Sequence, residues 1–289
     1  MSVAAVGVVG AGFMGSGIAE SAARAGIDVV LYEPERAPLE RSEAALAASV
    51  ERAVRGGKVD TAEAEALVGR VAWTTDLGAL GDRDVIVEAV VEDERVKAGV
   101  FRELDAIAAD HAILASNTSS IPIAGLAAAT ARPERVLGLH FFSPVPVMKL
   151  VEIVVGLDTA DETVAVARGF VDQIGKTAIQ TKDRSGFVVN FLLVPYLMAA
   201  VRMYEEGFAT REDIDEGMKL GCGHPMGPLT LCDFIGLDVL YKVCESLYDE
   251  FKRDEYAPPP LLKRMVVSGH HGRKAGRGFY VYAQQPVAV

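Results

Sequence analysis

Short apolar runs alternate with amphipathic stretches over the first 180 or so positions of the chain. Ala5 to Val9, Asp28 to Tyr32, Val71 to Thr74, Val85 to Val90, Ile113 to Ser116, Val136 to Phe141, Leu150 to Val155 and Ala178 to Thr181 read as strands. Helical periodicity fills many of the intervals, at Met14 to Ala25, Pro38 to Arg55, Arg95 to Ala109 and Glu162 to Ile174. Val/Ile runs that are apolar on both faces, joined by helices, predict a mostly parallel sheet covered on both sides. The later strands stand closer together, which predicts a mixed edge.

After Arg184 the pattern changes. Phe187 to Glu206, Arg211 to Leu220 and Leu229 to Phe251 carry helical periodicity, broken by Gly207 and by the Gly-His-Pro-Met-Gly-Pro segment at 223–228. Strand-like alternation returns only at 278–282, Gly-Phe-Tyr-Val-Tyr. The expected fold is therefore α/β: a doubly wound sheet over residues 1–183, then an all-α domain over 184–289.

Composition narrows the function more than the fold. The 289 residues are half apolar and about a quarter charged, as in ordinary globular chains. A chain of that length buries about 75% of its unfolded surface and needs no disulfide or metal staple. The formal net charge of −11 argues against nucleic-acid and anionic-membrane partners, which require a basic face. The most apolar run, Phe187 to Ala200, is too short to span a bilayer and contains Asn190 and Pro195. No basic stretch precedes the first apolar run, so no secretory signal is expected. Cys222, Cys232 and Cys244 are odd in number, lack Cys-x-x-Cys spacing and read as free thiols in a reducing compartment. The five histidines show no ligand spacing, so no metal site is expected. Together these features predict a cytoplasmic protein.

Gly10-x-Gly12-x-x-Gly15 follows the first strand directly and opens the first helix. The first glycine makes the tight turn, the second lets backbone approach a pyrophosphate, and the third lets helix pack on strand. The helix N-terminus, with Phe13 and Met14 in its first turn, offers free N–H groups to the phosphates. Glu33 ends the second strand, where a carboxylate accepts the adenosine ribose 2′-OH and repels a 2′-phosphate. The cofactor expected is NAD rather than NADP, although Arg36 is near enough in sequence to meet a phosphate.

Further candidates follow later strands, where ligands of open α/β sheets bind. Residues 115–122 read Ala-Ser-Asn-Thr-Ser-Ser-Ile-Pro, and His140 begins His-Phe-Phe-Ser-Pro-Val-Pro. Glu152 lies twelve residues beyond His140, and Asn190 interrupts an apolar helix. Each has a plain structural alternative: a satisfied core histidine, a hydroxyl-rich cap, or a surface partner for Lys149. Asn190 is the hardest to dismiss, because an unpartnered buried amide costs about 1–3 kcal/mol.

As a set, these residues resemble the L-3-hydroxyacyl-CoA dehydrogenase family, above all its bacterial single-chain 3-hydroxybutyryl-CoA dehydrogenases. The similarity runs from Val6 to Tyr282. It is carried by Gly-Ala-Gly-Phe-Met-Gly-Ser-Gly-Ile-Ala (10–19), Ile-Val-Glu-Ala-Val-Val-Glu-Asp (86–93), Ser-Asn-Thr-Ser-Ser (116–120) and His-Phe-Phe-Ser-Pro-Val-Pro (140–146). Asp-Arg-Ser-Gly-Phe-Val-Val-Asn (183–190), Pro-Met-Gly-Pro-Leu (225–229) and Gly-Arg-Gly-Phe-Tyr (276–280) extend it through the second domain. Separations of 21, 12 and 38 residues link Ser119, His140, Glu152 and Asn190, as in the family.

The resemblance implies a Rossmann-like NAD-binding domain, a helical substrate and dimerisation domain, and a place in fatty-acid metabolism. It implies that His140 takes the proton from the 3-hydroxyl of a (3S)-3-hydroxyacyl-CoA, with Glu152 orienting the ring and stabilising imidazolium. Ser119 and Asn190 are implied to hydrogen-bond the substrate oxygens. Glu92, Lys97 and Asn117 fall at cofactor positions, and Ser49, Arg52, Arg55 and Lys58 on an arm that holds the CoA nucleotide. An acyl-CoA substrate and a homodimer follow from the same likeness. Two positions depart from the family pattern: Ser143 stands where Asn is common, and Glu33 where many relatives have Asp.

Alternatives within the fold are a dehydrogenase of a free hydroxy acid or sugar acid of the gulonate type, which has little use for a basic arm at 52–58, and a 6-phosphogluconate-type enzyme. The latter relies on a lysine at the start of its helical domain, where this chain has Asn190. A non-catalytic, crystallin-like NAD-binding protein would have no need of a His–Glu pair.

Overall fold

A computed structural model describes residues 2–57 and 59–283. Their contacts divide into two units, residues 1–184 and 185–289.

The first unit carries eight strands: β1 (Ala5–Val9), β2 (Asp28–Tyr32), β3 (Val71–Thr74), β4 (Val85–Glu88), β5 (Ile113–Ser116), β6 (Val136–Phe141), β7 (Leu150–Val155) and β8 (Thr177–Lys182). Its helices are α1 (Phe13–Arg24), α2 (Arg36–Arg55), α3 (Thr61–Gly69), α4 (Glu94–Ile107), α5 (Ile123–Ala127) and α6 (Asp161–Gln173). The strands lie in one sheet in the order β3-β2-β1-β4-β5-β6-β7-β8. Pairings from β3 to β6 are all parallel. This doubly wound sheet is the one the sequence predicts. Its mixed edge is the β6–β7 pair, which runs antiparallel, with β8 then parallel to β7.

The chain reverses its direction of winding between β1 and β4, so a crevice opens at their carboxyl ends, the usual ligand position in such sheets. Side chains of β4, β5 and β6 are buried throughout, which accounts for their unbroken apolar runs. Two ionisable side chains interrupt those runs, Glu88 at the end of β4 and His140 near the end of β6, both buried.

Helix α3 lacks strong apolar periodicity but carries a start signal. The Asp60 carboxylate accepts the Glu63 N–H, and the Glu63 side chain accepts the Asp60 N–H.

The second unit is helical: α7 (Val189–Glu205), α8 (Arg211–Cys222), α9 (Pro228–Ile235), α10 (Leu237–Phe251) and α11 (Pro260–Val267). Pro195 lies inside α7 and cannot donate to the Phe191 carbonyl four residues earlier. The buried Tyr256 hydroxyl donates to that carbonyl instead, at 3.4 Å. The apolar stretch 229–251, which reads as one helix, is two, because Gly236 takes φ +101° between α9 and α10.

Two buried carboxylates organise this unit. Asp215 accepts the Leu229 and Thr230 N–H groups at 2.7 and 2.9 Å, capping α9 from a distance. A Cβ at Gly227 would collide with Asp215, so the Pro-Met-Gly-Pro segment needs its glycine. Asp233 accepts the Phe279 and Tyr280 N–H groups, both at 2.9 Å, and the Tyr282 hydroxyl. The alternation at 278–282 therefore forms only an isolated bridge at Val281 rather than a strand, since the Phe279 and Tyr280 N–H groups go to a carboxylate.

Candidate active site

The dinucleotide end is built by β1, β2 and α1. Gly10 takes φ +106°, and a Cβ there would strike the Ala89 carbonyl. A Cβ on Gly15 would land on the Gly10 carbonyl oxygen. Gly12 is different: a Cβ there would meet no protein atom within 4 Å. The packing does not require that glycine, but backbone approach to a phosphate does.

Gly12 is also the N-cap of α1 and supplies no side-chain acceptor, which leaves the first-turn N–H groups at Phe13 and Met14 available to an anion. Glu33 follows β2, and its Oε2 accepts the Ala11 N–H at 3.1 Å. Its carboxylate is thereby held beside the turn, where a ribose diol would bind. The residues present fit a nicotinamide dinucleotide.

The second cluster lies at the carboxyl ends of β5 and β6. His140 and Glu152 are direct cross-strand partners in the antiparallel β6–β7 pair, which is the structural meaning of their twelve-residue separation. His140 Nδ1 lies 2.7 Å from Glu152 Oε2; the histidine is 5% exposed and the glutamate 0%. Because an ionised carboxylate only accepts, it takes the Nδ1–H, and the neutral ring then has its lone pair on Nε2. Ser119 Oγ lies 3.2 Å from that Nε2. Glycine turn, base and hydroxyl all belong to the first unit.

Neighbouring candidates have more specific surroundings than the sequence suggests. The Asn117 side-chain oxygen accepts the Phe141 N–H at 2.9 Å, tying the loop after β5 to β6. Glu92 Oε1 accepts the Ser119 N–H at 2.9 Å and the Thr118 hydroxyl at 2.6 Å. Lys97 is 1% exposed, and its ammonium lies 2.7 Å from Glu88 and 3.2 Å from Glu92. Glu88, which the sequence reading passed over, had a signal: an acid closing a Val-Ile-Val strand must find a partner once buried.

On α2, Ser49 Oγ donates to Glu20 Oε1 at 2.7 Å, and Glu20 also pairs with Arg24. Arg52 is exposed and, with Ser49, Arg24 and Pro146, lines a cavity of about 640 Å³. Arg55 is exposed and lies 3.5 Å from Glu51. Lys58 lies outside the described residues. Asn190 belongs to the second unit, where it is half-buried as the second residue of α7. Among the described residues no group of His, Cys, Asp or Glu could hold a metal, and no helix is long and apolar enough to cross a membrane.

A glycine turn at the switch point of a parallel sheet, with a buried His–Glu pair facing across β6 and β7 of the same sheet, defines a nicotinamide dinucleotide-dependent dehydrogenase. Two family models extend that assignment along the chain: "3-hydroxyacyl-CoA dehydrogenase, NAD binding domain" over residues 5–184 and "3-hydroxyacyl-CoA dehydrogenase, C-terminal domain" over 186–282. The chain belongs to the 3-hydroxyacyl-CoA dehydrogenase family.

It is 54% identical over 279 residues to a 3-hydroxybutyryl-CoA dehydrogenase of Mycobacterium tuberculosis, covering 96% of this chain and 98% of that one. It is 41% identical to the mitochondrial hydroxyacyl-coenzyme A dehydrogenase of Homo sapiens, covering 96% of this chain and 90% of the human protein. The crystal structure of (S)-3-hydroxybutyryl-CoA dehydrogenase PaaH1 from Ralstonia eutropha superposes with a TM-score of 0.94 at 44% identity, covering 98% of this chain and all of that one.

Proposed function

We propose that the protein interconverts a short-chain (3S)-3-hydroxyacyl-CoA, 3-hydroxybutyryl-CoA in the first place, and the corresponding 3-ketoacyl-CoA, using NAD. One observation carries the reading: Ser119 Oγ, His140 Nε2 and Nδ1, and Glu152 form a continuous hydrogen-bonded line from the loop after β5 across β6 to β7. NAD, when bound, would accept the hydride that leaves C3 of the hydroxy substrate, and NADH would return it to C3 of the ketone. His140 Nε2 takes the proton of the 3-hydroxyl and returns one in the reductive direction. Glu152 holds the ring in the tautomer that leaves Nε2 basic and balances the imidazolium charge. Ser119 orients the substrate oxygen beside Nε2. Asn190 is assigned, with Ser119, to hydrogen bonds with the substrate oxygens by the family resemblance alone. Glu92 and Asn117 are assigned to the nicotinamide end on the same ground.

Glu33 supports NAD over NADP, because a 2′-phosphate would face a carboxylate that the Ala11 N–H holds in place. The cavity lined by Ser49 and Arg52 supports a site for the CoA nucleotide, with Arg55 and Lys58 as further contacts. Exposed apolar side chains of the second unit, among them Leu192, Phe208, Leu220 and Val267, support a homodimer formed through it. The cytoplasm is the compartment that fits three cysteines and no disulfide spacing.

Following NADH oxidation tests the substrate. Acetoacetyl-CoA should be reduced and free acetoacetate not; the reverse pattern overturns the thioester reading. Repeating the assay with NADPH should lower kcat/KM by at least about tenfold, and Glu33→Gln should narrow that gap from both sides. Light scattering should give a mass twice the 30.7 kDa of one chain, and a monomer would sink the dimer.

A further inference from the structure

We propose that Lys176 is a positioning residue for coenzyme A: lying outside the cavity lined by Ser49 and Arg52, it pins the turn at 144–148 that forms part of that cavity's wall. The proposal rests on the assignment of that cavity to the CoA nucleotide given above.

Residues 142–149 join β6 to β7 without regular structure. Pro144, Val145, Pro146 and Val147 line the cavity, as does Phe13. Phe13 is 69% exposed and Val147 71%. Open apolar side chains beside Ser49 and Arg52 suit a ligand that carries both an uncharged chain and phosphates, as CoA does.

The turn has few attachments of its own. The Pro144 carbonyl accepts the Val147 and Met148 N–H groups, both at 3.0 Å. The rest come from other elements. Val145, 1% exposed, is seated against α1 at Gly17, where a Cβ would come within 2.8 Å of the Val145 Cβ. Lys176 Nζ donates to the Val145 carbonyl at 2.6 Å and to the Met148 carbonyl at 2.7 Å. Among the described residues no other group donates to either carbonyl. One ammonium thus joins both ends of the 145–148 segment.

Gly175 takes φ +70° and turns the chain from α6 toward β8, which delivers Lys176 to this place. The next residue continues the tie, since the Thr177 N–H donates to the Lys149 carbonyl at 2.7 Å. Burial pulls the Lys176 ammonium below the ordinary lysine pKa, and no neighbouring charge offsets that pull. A methionine would bury the same stem without desolvating a charge, so stability alone gives no reason for a lysine here. What the ammonium adds is several donors at one point, which fix two carbonyls at once. His140 is held separately, by the β6–β7 register and by Glu152. Loosening the turn should therefore weaken the hold on CoA and spare the chemistry.

Lys176→Met is assayed with acetoacetyl-CoA and with acetoacetyl-N-acetylcysteamine, a thioester that lacks the nucleotide and most of the pantetheine chain. KM for acetoacetyl-CoA should rise at least about tenfold, with kcat within about threefold of wild type. KM for the truncated thioester should change by less than about twofold. Equal rises on the two substrates, an unchanged KM for acetoacetyl-CoA, or a loss confined to kcat overturn the proposal.

Two readouts need no turnover. CoA itself, titrated calorimetrically, should bind the variant about tenfold more weakly while NADH affinity stays within about twofold. Exchange of the Val147 and Met148 amide hydrogens should quicken at unchanged exchange in β6 and β7, and unchanged protection of those two amides refutes the positioning role. A wild-type chain that binds CoA but leaves acetoacetyl-CoA unreduced refutes only the substrate proposed above, and these two readouts still decide the role of Lys176. A wild-type chain that does not bind CoA refutes both. If Lys176→Met does not fold, Lys176→Gln, which keeps one donating group, should show the same selective loss of CoA affinity, and equal losses for CoA and NADH sink the proposal.

Discussion

Replacing His140 by alanine should lower kcat for acetoacetyl-CoA reduction by about 10³-fold and leave NADH affinity nearly unchanged. The size follows from the role: a positioned general acid or base contributes 10²- to 10⁴-fold, and here the ring is positioned on both sides. The antiparallel register sets its backbone opposite Glu152, and the carboxylate holds Nδ1 at 2.7 Å. The split between kcat and affinity follows from location. The dinucleotide turn belongs to β1, β2 and α1, whereas His140 lies near the end of β6, two strands beyond β4. Truncation also removes the Nδ1–H that Glu152 accepts, which costs stability at a fully buried carboxylate. His140→Asn retains a side-chain N–H in that region and no imidazole base. If both variants lose activity alike while their melting temperatures differ, the loss is chemical. Full activity in either one would remove His140 from the reaction.

The fold was legible in the sequence wherever burial is uniform along an element. Strands covered on both faces, β4 to β6 above all, leave unbroken apolar runs, and the less uniformly buried strands also appear within a few residues of their observed ends. Legibility failed where a side chain from elsewhere in the chain takes over the backbone. Residues 278–282 alternate like a strand, but Asp233, some forty-five positions earlier, accepts the N–H groups of Phe279 and Tyr280. Nothing local announces this. The helical periodicity of 229–251 is real on both sides of Gly236, and only the φ of +101° there separates α9 from α10.

The active-site geometry divides in the same way. The twelve-residue separation of His140 and Glu152 is the length of one antiparallel return, so once β6 and β7 are recognised the pair is implied. The placement of Lys97 was not legible. A lysine in the first turns of a helix usually faces solvent, and here it is drawn inward by an acid at the end of β4. Glu88 announces itself only as a charge within an apolar run. The −11 net charge gave no warning of either feature, because it is a sum over all charged residues, in which the two members of this ion pair cancel.

Glu152→Gln should lower kcat by about 10²- to 10³-fold at nearly constant NADH affinity. It is the sharper test of mechanism because it changes almost no volume. A carboxylate can only accept from the ring, so it forces the proton onto Nδ1 and leaves Nε2 facing Ser119 Oγ as the base. A glutamine can turn its amide either way. With its NH₂ toward Nδ1 the ring proton moves to Nε2, and the base is lost at the atom beside the substrate. With its oxygen toward Nδ1 the tautomer survives, but no charge balances the imidazolium that forms as the hydroxyl is deprotonated. Both orientations impair the same step by different routes. Stability should not fall with activity, since a neutral amide is less costly to bury than a carboxylate. A variant that melts at or above the wild-type temperature yet turns over hundreds of times more slowly would therefore assign Glu152 to the chemistry. A loss smaller than threefold would mean that strand register alone orients His140 and that the carboxylate is dispensable to the reaction.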